Sequence, residues 1–419
     1  MQFLVDQRAQ ADGRAADDRA DARLARLGTR FLIYPQPPHL AGYSTPETIW
    51  ISTPLGRVRP GPSDDRVYVI DPLMEKEPYS FPYMPPFVGA AHPPATPGPD
   101  GHFDHLDPNS RQFVSAHIFA GVRFVLDLWE SYVGHPFVWH FAQTYERLEI
   151  IPQVDWYNAQ SGFGFMEFGR DTGAMDGPGT PHALNFDVIA HEFGHALIFA
   201  EMGMPTGAAS MEYFGYHEGM SDLISLFSVL NFDSVLDRFM RGSRGNLLTL
   251  NELNRIAELS GDRQIRKASN DRRMGDVSQE VHDFAQPFTG AIFDTLVDMY
   301  HSRVTARGLV DLPAEVSYDS LRTLDGPTIE MIGARFAESY QTNHFLLKAA
   351  LSESRDRLGT ALARSWARLE PDGFTLAAGG VAIVDILDEI GDGEAADALM
   401  ENLIWREIVP AGPTHFYGT

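Results

Sequence analysis

Two histidines and a glutamate lie in the middle of an otherwise apolar helix pattern. His191, Glu192 and His195 belong to the segment NFDVIAHEFGHALIFAEMG, whose flanking residues are apolar on most sides of a helix. Such a helix is expected to be buried, and buried imidazoles and carboxylates need polar partners. Because histidines at i and i+4 project from one face about one turn apart, both can reach a single metal ion. The segment therefore predicts a buried helix that carries a metal site.

A general base and a third ligand are expected near these histidines. The carboxylate of Glu192 would face a metal-bound water, where a base must lie to accept its proton. Catalytic zinc takes three protein ligands and keeps one position for water. After 22 intervening residues, Glu218 and Asp222 stand at i and i+4 in YHEGMSDLISLF. We expect Glu218 to bind the metal and Asp222 to accept a hydrogen bond from a ligand histidine, the alternative being an acidic cluster at a helix N-terminus.

Composition limits the metal ligands and the partners. The chain of 419 residues has no cysteine, so thiolate ligands and thiol nucleophiles are excluded, and a metal must rest on His, Asp and Glu. A net charge of -24 repels nucleic acids and anionic lipids, so we expect no nucleic-acid partner. No apolar stretch is long enough to span a membrane, and the first residues do not resemble a secretory signal, so no membrane partner is expected. Compartment and oligomeric state stay open.

The chain is expected to contain four stretches. Residues 1–28, rich in Ala, Asp and Arg, form a polar tail. Residues 29–100 contain the strand-like pieces RFLIY, TIWIS and RVYVI and then nine prolines within 28 residues, which favour an extended segment over a surface. Residues 101–204 form an α+β lobe that ends in the helix with the two histidines, and residues 205–419 form a helical lobe. The predicted fold class is α+β, with a central helix between an N-terminal α+β lobe and a C-terminal all-helical lobe.

Several motifs, taken in order, resemble one known family. HEFGH followed by HEGMSD resembles the zinc-binding motifs of the thermolysin-like gluzincin metallopeptidases, and the long gap between them is similar to that of the fungalysin relatives. WYNAQSGFGFMEFGRD resembles the edge strand of this family, and SAHIFAGVRFVLDLWE resembles the helix before that strand. EVHDFAQPFTGAIFDTL resembles the segment with the transition-state histidine. The resemblance spans about residues 110–300.

This resemblance implies a zinc-dependent endopeptidase with a thermolysin-like two-lobe fold and a cleft between the lobes. It implies one zinc ion per chain, bound by His191, His195 and Glu218, and a peptide or protein substrate. Glu192 would be the general base that accepts a proton from the zinc-activated water. His282 would donate a hydrogen bond to the oxyanion of the transition state.

The resemblance also assigns residues that bind substrate. Asn158 and Ala159 would hold the substrate backbone as an added strand. Val188, one turn before the first ligand histidine, would line an apolar pocket. Arg266, in the segment IRKASND, is placed as the substrate-binding arginine.

Some positions depart from the pattern of the family. Asp276, one residue out of register, is the near match to the aspartate that orients the transition-state histidine. Tyr213 lies near the position of the transition-state tyrosine without having the thermolysin spacing. Asp187 stands where thermolysin has a calcium ligand, but Val229 replaces the partner carboxylate, which argues against calcium at that double site.

Three other interpretations fit parts of the sequence. A gluzincin aminopeptidase would carry a GxMEN motif, which Gly164–Phe168 matches except at the last position, and cleavage of an N-blocked peptide would exclude exopeptidase action. A non-catalytic, zinc-stabilised binding protein on the same fold would show no chelator-sensitive hydrolysis. A structural helical protein with accidental motifs would contain no metal.

Overall fold

The computed structural model describes residues 28–171, 180–247, 268, 270–312 and 325–411. Within these ranges the chain has a mixed α+β fold with eight α-helices and three small sheets, which confirms the α+β class of the prediction. The described residues group into two compact units. The first contains those up to Asp127 together with Phe141–Ile189, and the second contains Leu128–His140 together with those from Ala190 onward. The strands all belong to the first unit. The predicted polar tail lies outside the described residues except for Gly28.

The three strand-like pieces near the start of the chain form strands, as predicted. Strand β1 (Thr29–Ile33) pairs antiparallel with β2 (Glu47–Ile51), and β3 (Val67–Val69) belongs to a second sheet. In β1 the side chains of Phe31 and Ile33 are fully buried, whereas their neighbours are half-buried, as expected for a strand with one face on the core.

The second sheet has four strands in the order β3-β4-β6-β5. Its other members are β4 (Leu148–Ile151), β5 (Ala159–Gly162) and β6 (Phe165–Phe168). Strand β4 is parallel to both β3 and β6, and β5 is antiparallel to β6. Strand β5 therefore lies at one end of the sheet, with a strand neighbour on one side only within the described part of the chain. A short antiparallel pair follows, consisting of β7 (Arg170–Asp171) and β8 (Thr180–Pro181).

The proline-rich segment has neither helix nor regular strand and packs against this sheet. Tyr79 belongs to an apolar cluster with Phe165, and its hydroxyl donates to Glu149 Oε1 over 2.6 Å. The backbone N–H of Phe87 donates to Glu149 Oε2 over 2.9 Å, and that of Tyr79 donates to Glu167 over 2.7 Å. The buried carboxylates of Glu149 and Glu167 therefore hold the segment by accepting hydrogen bonds from its backbone N–H groups and from the Tyr79 hydroxyl.

Two long helices contain the patterns singled out in the sequence. Helix α1 (Arg111–Val133) follows Ser110, whose hydroxyl accepts from the backbone N–H of Phe113. Helix α2 (Phe186–Met202) carries the HEFGH segment. Most of its apolar side chains are buried, as predicted, whereas Val188 and Phe199 are half-buried. The fully buried ones include Ile189, Ala190, Phe193, Ala196, Leu197 and Ile198.

The remaining helices belong to the second unit. They are α3 (Met211–Val229), α4 (Asp233–Ser243), α5 (Val281–Ala306), α6 (Gly326–Ser365), α7 (Leu376–Glu389) and α8 (Gly393–Trp405). Helix α3 approaches α5 closely at Gly219, where a Cβ atom would lie 2.9 Å from Thr289 Oγ1. None of the described helices is both long enough and apolar enough to cross a membrane.

Candidate metal centre

Helices α2 and α3 bring together three side chains that can bind one metal ion. The rings of His191 and His195 lie one turn apart on α2, with centroids 5.0 Å apart and planes nearly perpendicular at 88°. Glu218 comes from α3. One ligand atom from each of the three lies within 4.8 Å of the others, and this is the one group of its kind in the described part of the chain. All three side chains belong to the second unit.

Both histidines direct the same ring nitrogen at the glutamate. His191 Nε2 lies 3.3 Å from Glu218 Oε2, and His195 Nε2 lies 3.7 Å from Glu218 Oε1. Two imidazole nitrogens and a carboxylate are the donor set of several catalytic zinc sites, which keep a further position open for water. The residues present therefore fit a zinc ion by the chemistry of their donor atoms.

The outer nitrogens of the two candidate ligand histidines contact neighbouring residues of α3. His191 Nδ1 lies 2.8 Å from Asp222 Oδ1, so a proton on Nδ1 leaves the Nε2 electron pair for a metal. His195 Nδ1 lies 3.3 Å from Ser221 Oγ. The contact of Asp222 with a histidine was expected from the sequence motif, but the contact of Ser221 was not. The signal for it was the spacing, because Ser221 follows Glu218 by three residues and so lies on the same side of the helix.

The pKa of Glu218 lies below its ordinary value. Burial raises this pKa, but the hydrogen bonds with His191 and His282 and the charges of the two ligand histidines lower it by more. The carboxylate is therefore the favoured form, as a metal ligand requires.

His217, the neighbour of the proposed ligand Glu218, is a packing residue. Its ring lies 4.5 Å from both Phe199 and Tyr213, and it is parallel to the ring of His195 at 5.9 Å. Neither ring nitrogen of His217 has a hydrogen-bond partner among the described residues. Burial lowers the pKa of this imidazole well below its ordinary value, with the charge of His195 as the next cause. His217 is therefore neutral and acts through its ring faces.

Tyr213 also has a packing position. Its hydroxyl donates to the backbone oxygen of Gly203 over 2.9 Å, just after the end of α2, and its ring is almost fully buried against His217. The hydroxyl is thus engaged with the backbone rather than directed at the ligand group.

The structure brings His282 to the ligand group and gives Asp276 another partner. His282 lies in the first turn of α5, and its Nδ1 is 3.1 Å from Glu218 Oε2. The Asp276 carboxylate accepts from the backbone N–H of Arg273 over 3.2 Å and so caps a 3₁₀ turn, Met274–Asp276. Its described contact is therefore with the backbone of its own turn and not with His282.

The structure describes Glu192 and three of the four predicted substrate-binding residues. Glu192 is half-buried on α2 beside the first ligand histidine. In the first unit, Asn158 is exposed just before β5, Ala159 begins that strand, and Val188 is half-buried in the first turn of α2. Arg266 lies outside the described residues.

Asp187, at the position where thermolysin has a calcium ligand, contacts a neutral amide. The Gln36 side-chain amide donates to both of its oxygens, over 3.0 and 3.2 Å. Burial raises the pKa of Asp187 well above its ordinary value, and the hydrogen bond from Gln36 only partly opposes this. Burial therefore disfavours the charged form of this carboxyl group.

No protein-family model matches the chain, and no curated protein matches it either. Among solved structures, the fold is similar to the precursor of protealysin, a metalloproteinase from Serratia proteamaculans. The sequence identity is 12%, the TM-score is 0.45, and the match covers 86% of this chain and 92% of that chain. A likeness of this size leaves the chemistry to be argued from the residues of the site.

Proposed function

We propose that this protein is a zinc-dependent endopeptidase. The observation that carries the proposal is the group formed by His191, His195 and Glu218, whose ligand atoms lie within 4.8 Å of one another. The contact between His191 Nδ1 and Asp222, at 2.8 Å, adds the outer carboxylate that commonly orients a ligand histidine. Surface histidines seldom have such partners, and here His191 is almost fully buried.

The residues around this group have distinct tasks in the proposed hydrolysis. Zinc, when bound, supplies a Lewis acid that makes water a stronger nucleophile near neutral pH. Glu192 accepts a proton from the water that adds to the peptide carbonyl carbon. As the C–N bond breaks, the same carboxyl group returns that proton to the leaving nitrogen. His282 donates a hydrogen bond to the carbonyl oxygen while negative charge develops there.

The substrate is proposed to be a peptide or protein that binds in extended form. Asn158 and Ala159 are assigned to its backbone, because β5 is at the end of its sheet and such strands can accept an added strand. Val188 is assigned to an apolar pocket that selects the residue after the cleaved bond. Cleavage on the amino side of Leu, Phe or Ile is therefore expected, and a peptide library profile dominated by charged residues there would contradict it.

The decisive experiment compares Glu192→Gln with the wild-type protein. An amide has nearly the same shape as the carboxylate but cannot accept the proton, so casein hydrolysis should fall by about 10²- to 10⁴-fold. Elemental analysis should still find one zinc per chain, because Glu192 is not a ligand. Residual activity within a factor of about ten of wild type would refute the general-base assignment.

Two controls separate catalysis from a general effect on the helix. Glu201→Gln changes another half-buried glutamate in the last turn of α2 and should leave both zinc content and hydrolysis unchanged. His195→Ala should lose the zinc.

Two tests on the wild-type protein distinguish the alternative functions. Its hydrolysis should stop with o-phenanthroline, and it should also cleave N-blocked peptides. Zinc without any chelator-sensitive hydrolysis would identify a binding protein, and failure on N-blocked peptides alone would identify an aminopeptidase.

A further inference from the structure

The two ligand histidines are held by outer contacts of different strength. His191 faces the Asp222 carboxylate at 2.8 Å, whereas His195 faces the Ser221 hydroxyl at 3.3 Å. A hydrogen bond to a charged acceptor is shorter and stronger than one to a neutral hydroxyl. The orientation of His195 therefore depends on a weaker interaction, which needs closely packed surroundings to persist.

Helices α2 and α3 approach each other closely at a glycine next to His195. A Cβ atom at Gly194 would lie 3.1 Å from both the Cα and the Oγ atoms of Ser221, and 3.1 Å from the Ile224 side chain. Since Cα belongs to the backbone, the backbone of α3 would have to shift by a few tenths of an ångström to make room. Gly194, inside the HEFGH segment, thus allows Ser221 to approach α2 closely enough to reach the neighbouring histidine.

A second ring lies beside the His195 imidazole. The ring of His217 lies parallel to it, with centroids 5.9 Å apart, and is itself enclosed by Phe199 and Tyr213. Ser221 is fully buried, and His217 is 3% exposed, so water does not compete readily for the hydroxyl. The imidazole of His195 therefore has a neighbouring parallel ring and a polar contact at Nδ1.

We propose that Ser221 is a positioning residue that holds His195 with its proton on Nδ1 and its Nε2 electron pair toward the metal. This assignment rests on the metal site proposed above. The tautomer with a proton on Nε2 cannot bind a metal through that nitrogen, whereas in the other tautomer the Ser221 hydroxyl, 3.3 Å away, accepts from Nδ1–H. Ser221 and Asp222 thus serve one histidine each, from consecutive positions of α3.

The experiment measures the zinc affinity of Ser221→Ala by competition with a chromogenic chelator. Loss of an outer partner commonly weakens metal binding by 10- to 100-fold, and a neutral acceptor is expected at the low end, about tenfold. Ser228→Ala is the matched control. It removes another fully buried hydroxyl of α3, which accepts from the Trp129 ring N–H over 3.0 Å and contacts neither ligand histidine. Its zinc affinity should equal that of wild type.

Three outcomes would overturn the proposal. Equal zinc affinity of wild type and Ser221→Ala would refute the role of Ser221 alone. An equal loss in Ser221→Ala and Ser228→Ala would show a general loosening of α3 instead. Wild-type protein that binds no zinc would refute both the metal site and the role of Ser221.

A second test uses only the wild-type protein and so does not depend on whether a variant folds. Nitrogen-15 NMR of the zinc-loaded protein should show His195 bound through Nε2, with a slowly exchanging proton on Nδ1. Zinc on Nδ1 of His195, or an Nδ1 proton that exchanges as fast as that of an exposed histidine, would contradict the assignment of Ser221.

Discussion

His117 is a fully buried histidine that links three segments of the first unit, and acid should break that link. Its Nε2 accepts from the backbone N–H of Tyr34 over 3.0 Å, and its Nδ1–H donates to the backbone oxygen of Ala183 over 2.9 Å. Ala183 lies in the turn that leads into the helix with the ligand histidines. A protonated ring would place a second N–H group against the Tyr34 N–H, so the folded protein requires a neutral imidazole.

Burial lowers the pKa of His117 from 6.5 to about 4. Between these two pH values the unfolded chain binds the proton and the folded chain does not. The stabilisation is therefore fully present above pH 6.5 and is lost as the pH falls towards 4. At about 1.4 kcal/mol for each pH unit, this interval corresponds to about 3 kcal/mol in the free energy of unfolding.

The assay is urea unfolding of wild type and His117→Gln at pH 7 and at pH 4. The variant has no titrating ring, so the free energy of unfolding of wild type should fall by about 3 kcal/mol more than that of the variant. All other titratable groups are the same in both proteins, so their contribution cancels in the comparison. A parallel loss of stability in the two proteins would refute the reasoning that His117 is buried in its neutral form.

Other predictions concern the second unit. Asp222→Asn should weaken zinc binding by about 10- to 100-fold in a chelator competition, and unchanged affinity would show that Asp222 does not orient His191 for metal binding. His282→Ala should lower kcat by about 10²- to 10³-fold in steady-state assays with little change in KM. Loss of zinc from that variant would instead assign His282 to metal binding, consistent with its 3.1 Å contact to Glu218. Arg406→Met removes the partner of Asp294 in a fully buried ion pair and should lower the free energy of unfolding by about 3–5 kcal/mol, measured with urea. Arg406→Met combined with Asp294→Leu should recover much of this loss, and no recovery would show that other hydrogen bonds of Arg406 dominate.

Local periodicity determined most of the secondary structure and the candidate ligands. The apolar pattern around HEFGH predicted a buried helix, and the structure has helix α2 there, from Phe186 to Met202. The spacing of His191 and His195 predicted two rings on one helix face, since side-chain direction within a helix follows from its 3.6-residue period. Such predictions succeed because they depend only on residues that are close in the chain.

The contacts between elements were decided by tertiary packing. The sequence motif predicted that Asp276 orients His282. In the structure the Asp276 carboxylate caps its own turn, and His282 contacts Glu218. The pairing of Asp187 with Gln36, 151 positions apart, had no local signal. The contact between Ser221 and His195 had no local signal either, because it depends on where α2 and α3 cross. The spacing of residues along one helix determines the direction of each side chain. Which other side chain it contacts depends on which helix faces pack together, and on how closely glycines let two helices approach each other.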